Sequence, residues 1–137
     1  MRGLYDLRKS NPPLISGVEM MKVLVAAMSI PVDESSALIR GITEDVKKRT
    51  APADGNRKRI MIIGDQIDHT AIPESIENTG AWLVADDLSI GGKIYWPEVD
   101  ETADPLQGIA ERYLRKLKIP TTFVGDGNTY EENLEAR

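Results

Sequence analysis

Short apolar runs alternate with helix-like segments along the second half of this 137-residue chain. The runs RIMIIG (59–64), AWLVADD (81–87) and TTFVG (121–125) have the length and continuous apolar character of strands covered on both faces. Between them, residues 72–80 end in a helix-stopping glycine, and residues 104–117 begin with Asp-Pro and continue at helical spacing. Because strands that alternate with helices pair in parallel through right-handed crossovers, this pattern predicts a parallel α/β sheet.

Helix signals dominate the first fifty residues. SGVE at 16–19 has the spacing of a capping box and predicts a helix over 17–29 that is apolar around most of its circumference. A second helix is predicted over 33–49, because apolar side chains recur there at helical spacing, at Leu38, Ile42 and Val46. Residues 1–10 read as a short polar segment that ends at two prolines.

Two regions follow from this order of elements. Residues 1–50 are predicted to form an N-terminal helical segment that contains the helix pair. Residues 57–137 are predicted to form an α/β domain with a three-layer, Rossmann- or flavodoxin-like parallel sheet. A further helix begins near Tyr130 and the sequence then stops, so we expect the chain to be a fragment of a longer polypeptide.

Composition excludes several kinds of site and partner. A net charge of −5 and a pI near 4.9 argue against nucleic acid, which requires a basic surface. The chain has no cysteine and a single histidine, His69, which excludes disulfides, thiolate metal sites and multi-histidine zinc sites within it. The longest apolar stretch, residues 20–30, contains Lys22 and is too short to span a bilayer. We therefore expect a cytoplasmic protein with no membrane partner.

Candidate site residues follow the predicted strands, since ligands of parallel α/β sheets bind beyond the carboxyl ends of the strands. Three polar, glycine-containing segments occupy such positions: residues 64–69, 86–92 and 125–128. We expect the first two to line a ligand pocket through Gly64, Asp65, Gln66, Asp68, His69, Asp86, Asp87 and Ser89. No catalytic residue is assigned. No metal ligand is assigned either, because the sequence lacks the closely spaced acidic residues of a hard-cation site.

Two simpler interpretations apply to the same residues. Glycine after a strand is commonly an ordinary turn. Successive side chains of a strand point to opposite faces, so Asp86 and Asp87 cannot both face one ligand. One carboxylate is then expected to cap a neighbouring loop while the other faces solvent.

The segment after the first strand argues against a dinucleotide phosphate loop, because GDQIDH has one glycine and two acids.

A family resemblance rests on four parts of the sequence: PPLISGVE, AAMSIPVDESSALI, the region from Arg59 to Trp96, and DPLQGIAERYLRKLKIPTTFV. It resembles the 2-hydroxyacyl-CoA dehydratase and benzoyl-CoA reductase subunits over nearly its whole length. The resemblance implies longer subunits, built of α/β domains and paired in heterodimers. It also implies a [4Fe–4S] cluster held by cysteines beside the acyl-CoA thioester, reduced by an ATP-driven activator, with a ketyl radical anion as intermediate.

The chain departs from that family at the expected cluster ligands. The resemblance places cysteines where this sequence has Asp65, Ser89 and Thr121. Oxygen donors do not replace thiolates on an iron–sulfur cluster. We therefore expect no cofactor in this chain, and a role as scaffold or acyl-CoA-contacting partner of a sister subunit, inactive alone.

Two other hypotheses stay open. The chain could be a fragment of a complete enzyme subunit whose thiolates come from other segments or another chain. Alternatively, it could be a flavodoxin-like module that binds a small ligand or a protein without catalysis.

Overall fold

The computed structural model describes residues 1–53, 56–101 and 104–116. These residues form a first compact unit, Met1–Tyr95, and part of a second that begins at Trp96. The helices of the first unit are α1 (Arg2–Leu7), α2 (Gly17–Met28), α3 (Val32–Lys47), α4 (Ala71–Asn78) and α5 (Gly92–Tyr95), and its strands are β1 (Arg59–Ile63) and β2 (Trp82–Asp87). The second unit contains α6 (Pro105–Glu111) and a π-helical turn (Arg112–Lys116).

Within the described residues, β1 and β2 form a two-stranded parallel sheet. Arg59 pairs with Trp82 and Ile63 pairs with Asp87, with a register shift between Ile60 and Met61. Strands and helices alternate around this pair, so the predicted α/β class is confirmed. The third predicted strand, residues 121–125, and the helix predicted near Tyr130 lie outside the described residues.

The expectation that β1 is covered on both faces is wrong. Both of its end residues are exposed and the three between them are only half-buried, with Ile63 44% exposed. In contrast, β2 buries Leu83 and both of its terminal aspartates. The difference arises because α2 and α4 pack against β2.

The predicted helix pair is confirmed at α2 and α3, and its packing forms the main core. The buried residues of this core are Leu4, Ile15, Met20, Val23, Leu24 and Val46. The capping box at the start of α2 is present: Ser16 Oγ accepts from the Glu19 amide at 3.0 Å, and Glu19 accepts from the Ser16 amide at 3.1 Å. The Glu77 carboxylate of α4 accepts from the Gly17 amide at 2.7 Å, so a second helix also caps α2.

Three helical features differ from the sequence-based expectation. The N-terminal polar segment contains α1, whose Leu4 side chain is fully buried in the core. A four-residue helix, α5, follows the second strand directly. The helix predicted over 104–117 ends as an α-helix at Glu111, because the next turn is π-helical. In the described part of the chain, no helix combines the length and the apolar character that a membrane crossing would need.

Candidate functional site

Two loops leave the carboxyl ends of β1 and β2 side by side. We call residues 64–69 the first rim loop and residues 88–92 the second rim loop. The Gly64 amide donates to the Asp87 carbonyl at 3.4 Å, and the Ser89 amide donates to the Asp65 carbonyl at 3.1 Å. Ser89 Oγ also donates to Asp65 Oδ1 at 2.7 Å. The parallel pairing therefore continues past the strands and brings the two predicted segments to one edge.

Asp86 lies beneath this edge as a buried acceptor, 6% exposed. Its Oδ2 accepts from Arg8 Nη1 at 2.7 Å, and its Oδ1 accepts from the Tyr5 hydroxyl at 2.9 Å and the Gly92 amide at 2.7 Å. Arg8 is 1% exposed and donates a further hydrogen bond to the Leu83 carbonyl at 2.9 Å. The Asp86 carboxylate therefore joins the N-terminal segment, through Tyr5 and Arg8, to the second rim loop, through Gly92.

Asp87 uses different partners from Asp86, as expected for neighbours on a strand. Its Oδ2 lies 3.5 Å from Lys93 Nζ, and both side chains are buried. The expectation that one of the two carboxylates caps a neighbouring loop is confirmed, because Asp86 accepts from the Gly92 amide. The expectation that the other faces solvent is wrong, because Asp87 is buried and forms an ion pair with the buried Lys93.

The other predicted residues divide by exposure. Asp65, Gln66, Asp68 and His69 are exposed in the first rim loop. Gly64 and Ser89 are half-buried where the two loops meet. These six residues are at least partly accessible to solvent, whereas Asp86 and Asp87 are buried.

Sequence reasoning missed three residues that organise this edge: Tyr5, Arg8 and Lys93. Tyr5 and Arg8 are separated from Asp86 by 81 and 78 positions, so no local spacing connects them. A buried arginine and a buried lysine also look like surface residues by type. The one usable signal was the small pair that follows the aspartates. A Cβ at Gly91 would overlap Asp86 Oδ1, so the loop needs glycine to approach the carboxylate.

The donors at the rim do not fit an iron–sulfur cluster. Such clusters are held by thiolates, whereas the rim presents carboxylate, hydroxyl, amide and imidazole groups, and the chain has no cysteine. Within residues 1–53, 56–101 and 104–116, no three or more His, Asp or Glu side chains converge to hold a metal ion. The geometry is suited to hydrogen bonding with a polar ligand or a protein surface.

One family model and two curated proteins are similar to this chain. A family model described as "2-hydroxyglutaryl-CoA dehydratase, D-component" matches residues 1–135. A protein of Escherichia coli (strain K12) named as a putative dehydratase subunit, YjiM, is 30% identical over 124 residues, which cover 83% of this chain and 31% of that protein. One of the subunits of benzoyl-CoA reductase from Thauera aromatica is 24% identical over 118 residues, covering 85% of this chain and 30% of its own. The chain thus spans just under a third of the length of these curated relatives.

Proposed function

Because the chain belongs to the 2-hydroxyglutaryl-CoA dehydratase D-component family, we propose that it is one domain of a subunit of an acyl-CoA dehydratase or reductase. Its substrate class is then a 2-hydroxyacyl-CoA or an aromatic acyl-CoA in the cytoplasm. The relatives named above support both chemistries, one being named as a dehydratase subunit and the other belonging to benzoyl-CoA reductase.

The proposed architecture extends the two described strands. We propose that residues 57–137 belong to a three-layer, Rossmann- or flavodoxin-like domain. Residues 1–50 form the helical segment that precedes it. The parallel pairing of β1 and β2 and the helices between and around them support this arrangement.

We propose that this domain carries no cluster of its own and serves as a scaffold or acyl-CoA-contacting partner of a sister subunit. The observation that carries this proposal is the contact between Asp65 and Ser89. Two of the positions where related subunits are expected to have cysteine lie together here, but they present oxygen atoms that hydrogen-bond at 2.7 Å. Hard oxygen donors bind iron–sulfur clusters poorly, so the thiolates must come from another chain or another segment.

Acyl-CoA contact is proposed for the accessible rim. Gly64, Asp65, Gln66, Asp68, His69 and Ser89 line it, while Asp86 and Asp87 support the loops from beneath. Parallel α/β sheets bind ligands at this end of their strands, which supports the assignment. The isolated chain is expected to show no turnover with any acyl-CoA, because it has no cysteine to hold the cluster that the family resemblance implies.

Iron and sulfide analysis tests the first part of the proposal. The full-length polypeptide would be purified anaerobically, with and without its sister subunit, and its visible absorbance recorded. We expect iron to follow the sister subunit or other segments and to be unaffected by Asp65→Ala. A stoichiometric cluster on this domain alone would overturn the proposal.

Thermal stability in the presence of CoA esters tests the second part. A ligand at a hundredfold excess over its Kd stabilises the folded state by about 2.7 kcal/mol. His69→Ala should reduce the stabilisation, whereas Lys22→Ala, an exposed substitution on α2, should not. Stabilisation by nucleotides but not by CoA esters would instead favour the flavodoxin-like binding module.

A further inference from the structure

A buried carboxylate, that of Asp86, connects the second rim loop to the N-terminal segment, residues 1–10. Asp86 accepts from Tyr5 and from the Gly92 amide on the same oxygen, at 2.9 and 2.7 Å. Its other oxygen accepts from Arg8 at 2.7 Å. Two of these three donors come from residues 1–10, which precede the sheet by about fifty residues. The loop conformation therefore depends on a segment that is remote in sequence.

The N-terminal segment is itself held firmly in place. Arg8 is 1% exposed and also donates to the Leu83 carbonyl. The Arg59 guanidinium at the start of β1 donates to the carbonyls of Ser10, Arg8 and Lys9 at 2.7, 3.2 and 3.3 Å. Leu4 is fully buried in the core formed with α2 and α3. Residues 1–10 are therefore bonded to the core and to both strands, and they can hold the second rim loop in a fixed position.

The loop, in contrast, needs such a support. It contains two adjacent glycines, which have the greatest backbone freedom to lose on ordering. Gly91 packs directly against the Asp86 carboxylate, where a side chain would not fit. Without the carboxylate in its present position, the backbone pairing would still fix Asp87 and Ser89. The contacts that hold Gly91 and Gly92 would be lost.

We propose that Asp86 is a positioning residue, through which Tyr5 and Arg8 set the conformation of the second rim loop at Gly91 and Gly92, the part of the loop that follows Ser89. The N-terminal segment is then part of the functional site rather than a leading tail. This rests on the proposed function only in treating the rim as the ligand-contacting edge.

A single thiol provides a local reporter, because the chain has no cysteine of its own. Ser89→Cys would be made in the full chain and its rate of labelling by a maleimide measured. Adding Tyr5→Phe keeps the ring but removes one donor to Asp86. Because a hydrogen bond to a charged group is among the stronger ones, labelling should accelerate about tenfold or more, which corresponds to about 1.4 kcal/mol. Arg8→Lys, which cannot reproduce the guanidinium fork, should accelerate it as well.

Tyr95→Phe is the matched control. Tyr95 is also half-buried against the core, but its hydroxyl makes no hydrogen bond to any described residue. It should leave the labelling rate unchanged. Hydrogen exchange supplies a second readout: Tyr5→Phe should speed exchange at the Gly92 amide and not at the Leu24 amide of the core.

Two results would overturn the inference. One is an unchanged labelling rate with Tyr5→Phe in place. The other is equal acceleration of exchange at Gly92 and Leu24, which would indicate general loosening rather than positioning. Neither readout requires a ligand, so failure of CoA esters to bind would count against the proposed function and leave this inference intact.

Discussion

Asp86 and Asp87 are neighbours in sequence, but they belong to separate buried ion pairs. Asp86 pairs with Arg8 across 78 positions, whereas Asp87 pairs with Lys93, six positions away. Burial of charge is costly unless each group has a partner, so within each pair the two side chains depend on each other. Each carboxylate therefore stabilises the end of β2 through its own buried cation.

Removing the Asp86 carboxylate should strongly destabilise the protein. Asp86→Ala leaves the buried Arg8 guanidinium without its counter-ion, which typically costs about 3–5 kcal/mol. Urea unfolding measures the free energy. Asp6→Ala is the control, because the Asp6–Lys9 pair is more than half exposed and should contribute under about 1 kcal/mol. Similar losses from both variants would contradict the buried pair.

Alkaline stability depends on Tyr95, because burial raises the pKa of its phenol. Above about pH 10 the unfolded chain releases this proton first, so the folded state loses stability as pH rises through the raised pKa. The contribution is fully present at lower pH. Unfolding free energies between about pH 8 and pH 11 should therefore fall less steeply in Tyr95→Phe. An identical slope in the wild type and in Tyr95→Phe would exclude the effect.

At the scale of elements, the start of α2 is a junction at which α4 and β2 both contact the helix. Its own capping box and the Glu77 carboxylate satisfy its first amides, and Gly17 packs against Leu83 of β2. The capping box was visible in the sequence because its two residues are three positions apart. The contribution of Glu77 was not, since it depends on how α4 docks against α2.

Two glycine substitutions should have opposite effects. At Gly17 a Cβ would lie 2.6 Å from Leu83 Cβ, so Gly17→Ala should destabilise the protein by about 1–3 kcal/mol. At Gly41, an exposed position of α3, nothing lies within 4 Å. Gly41→Ala should therefore raise stability by about 0.5–1 kcal/mol through the better helix propensity of alanine. Thermal or urea unfolding of the two variants measures both effects. A stabilising Gly17→Ala would contradict the close packing of Gly17 against Leu83.

At the scale of the whole molecule, the described contacts that organise the site join residues of the first unit, Met1–Tyr95. The buried core, both ion pairs and the two rim loops lie within this unit. The chain nevertheless spans under a third of the length of its curated relatives, so the complete site is proposed to include other segments.

A fragment of residues 1–95 should accordingly fold cooperatively. Its core and ion pairs are internal, so we expect a helical circular dichroism spectrum and a single urea transition. The m-value should be smaller than that of the full chain, because less surface becomes exposed on unfolding. A fragment without any cooperative transition would show that residues after Tyr95 are required for folding.

Local sequence patterns predicted most of the helices and strands in the described part of the chain. The helices at 17–28 and 32–47 and the strands at 59–63 and 82–87 were each predicted to within two residues at either end, because capping residues and apolar spacing act over one or two turns. The π-helical turn after α6 and the helix α1 were not predicted. The N-terminal segment has a polar composition, and its burial depends on Leu4 and Arg8 finding partners elsewhere.

By itself, the sequence determined the α/β class, the location of the rim loops after the strands and the absence of thiolate ligands. These properties depend on residue type and on spacing along the chain. Only the tertiary structure decided that Asp65 contacts Ser89, that Tyr5 and Arg8 hold Asp86, and that Asp87 is buried. Those contacts join residues up to 81 positions apart, and the charges involved are stable inside the protein only after the fold has brought them together.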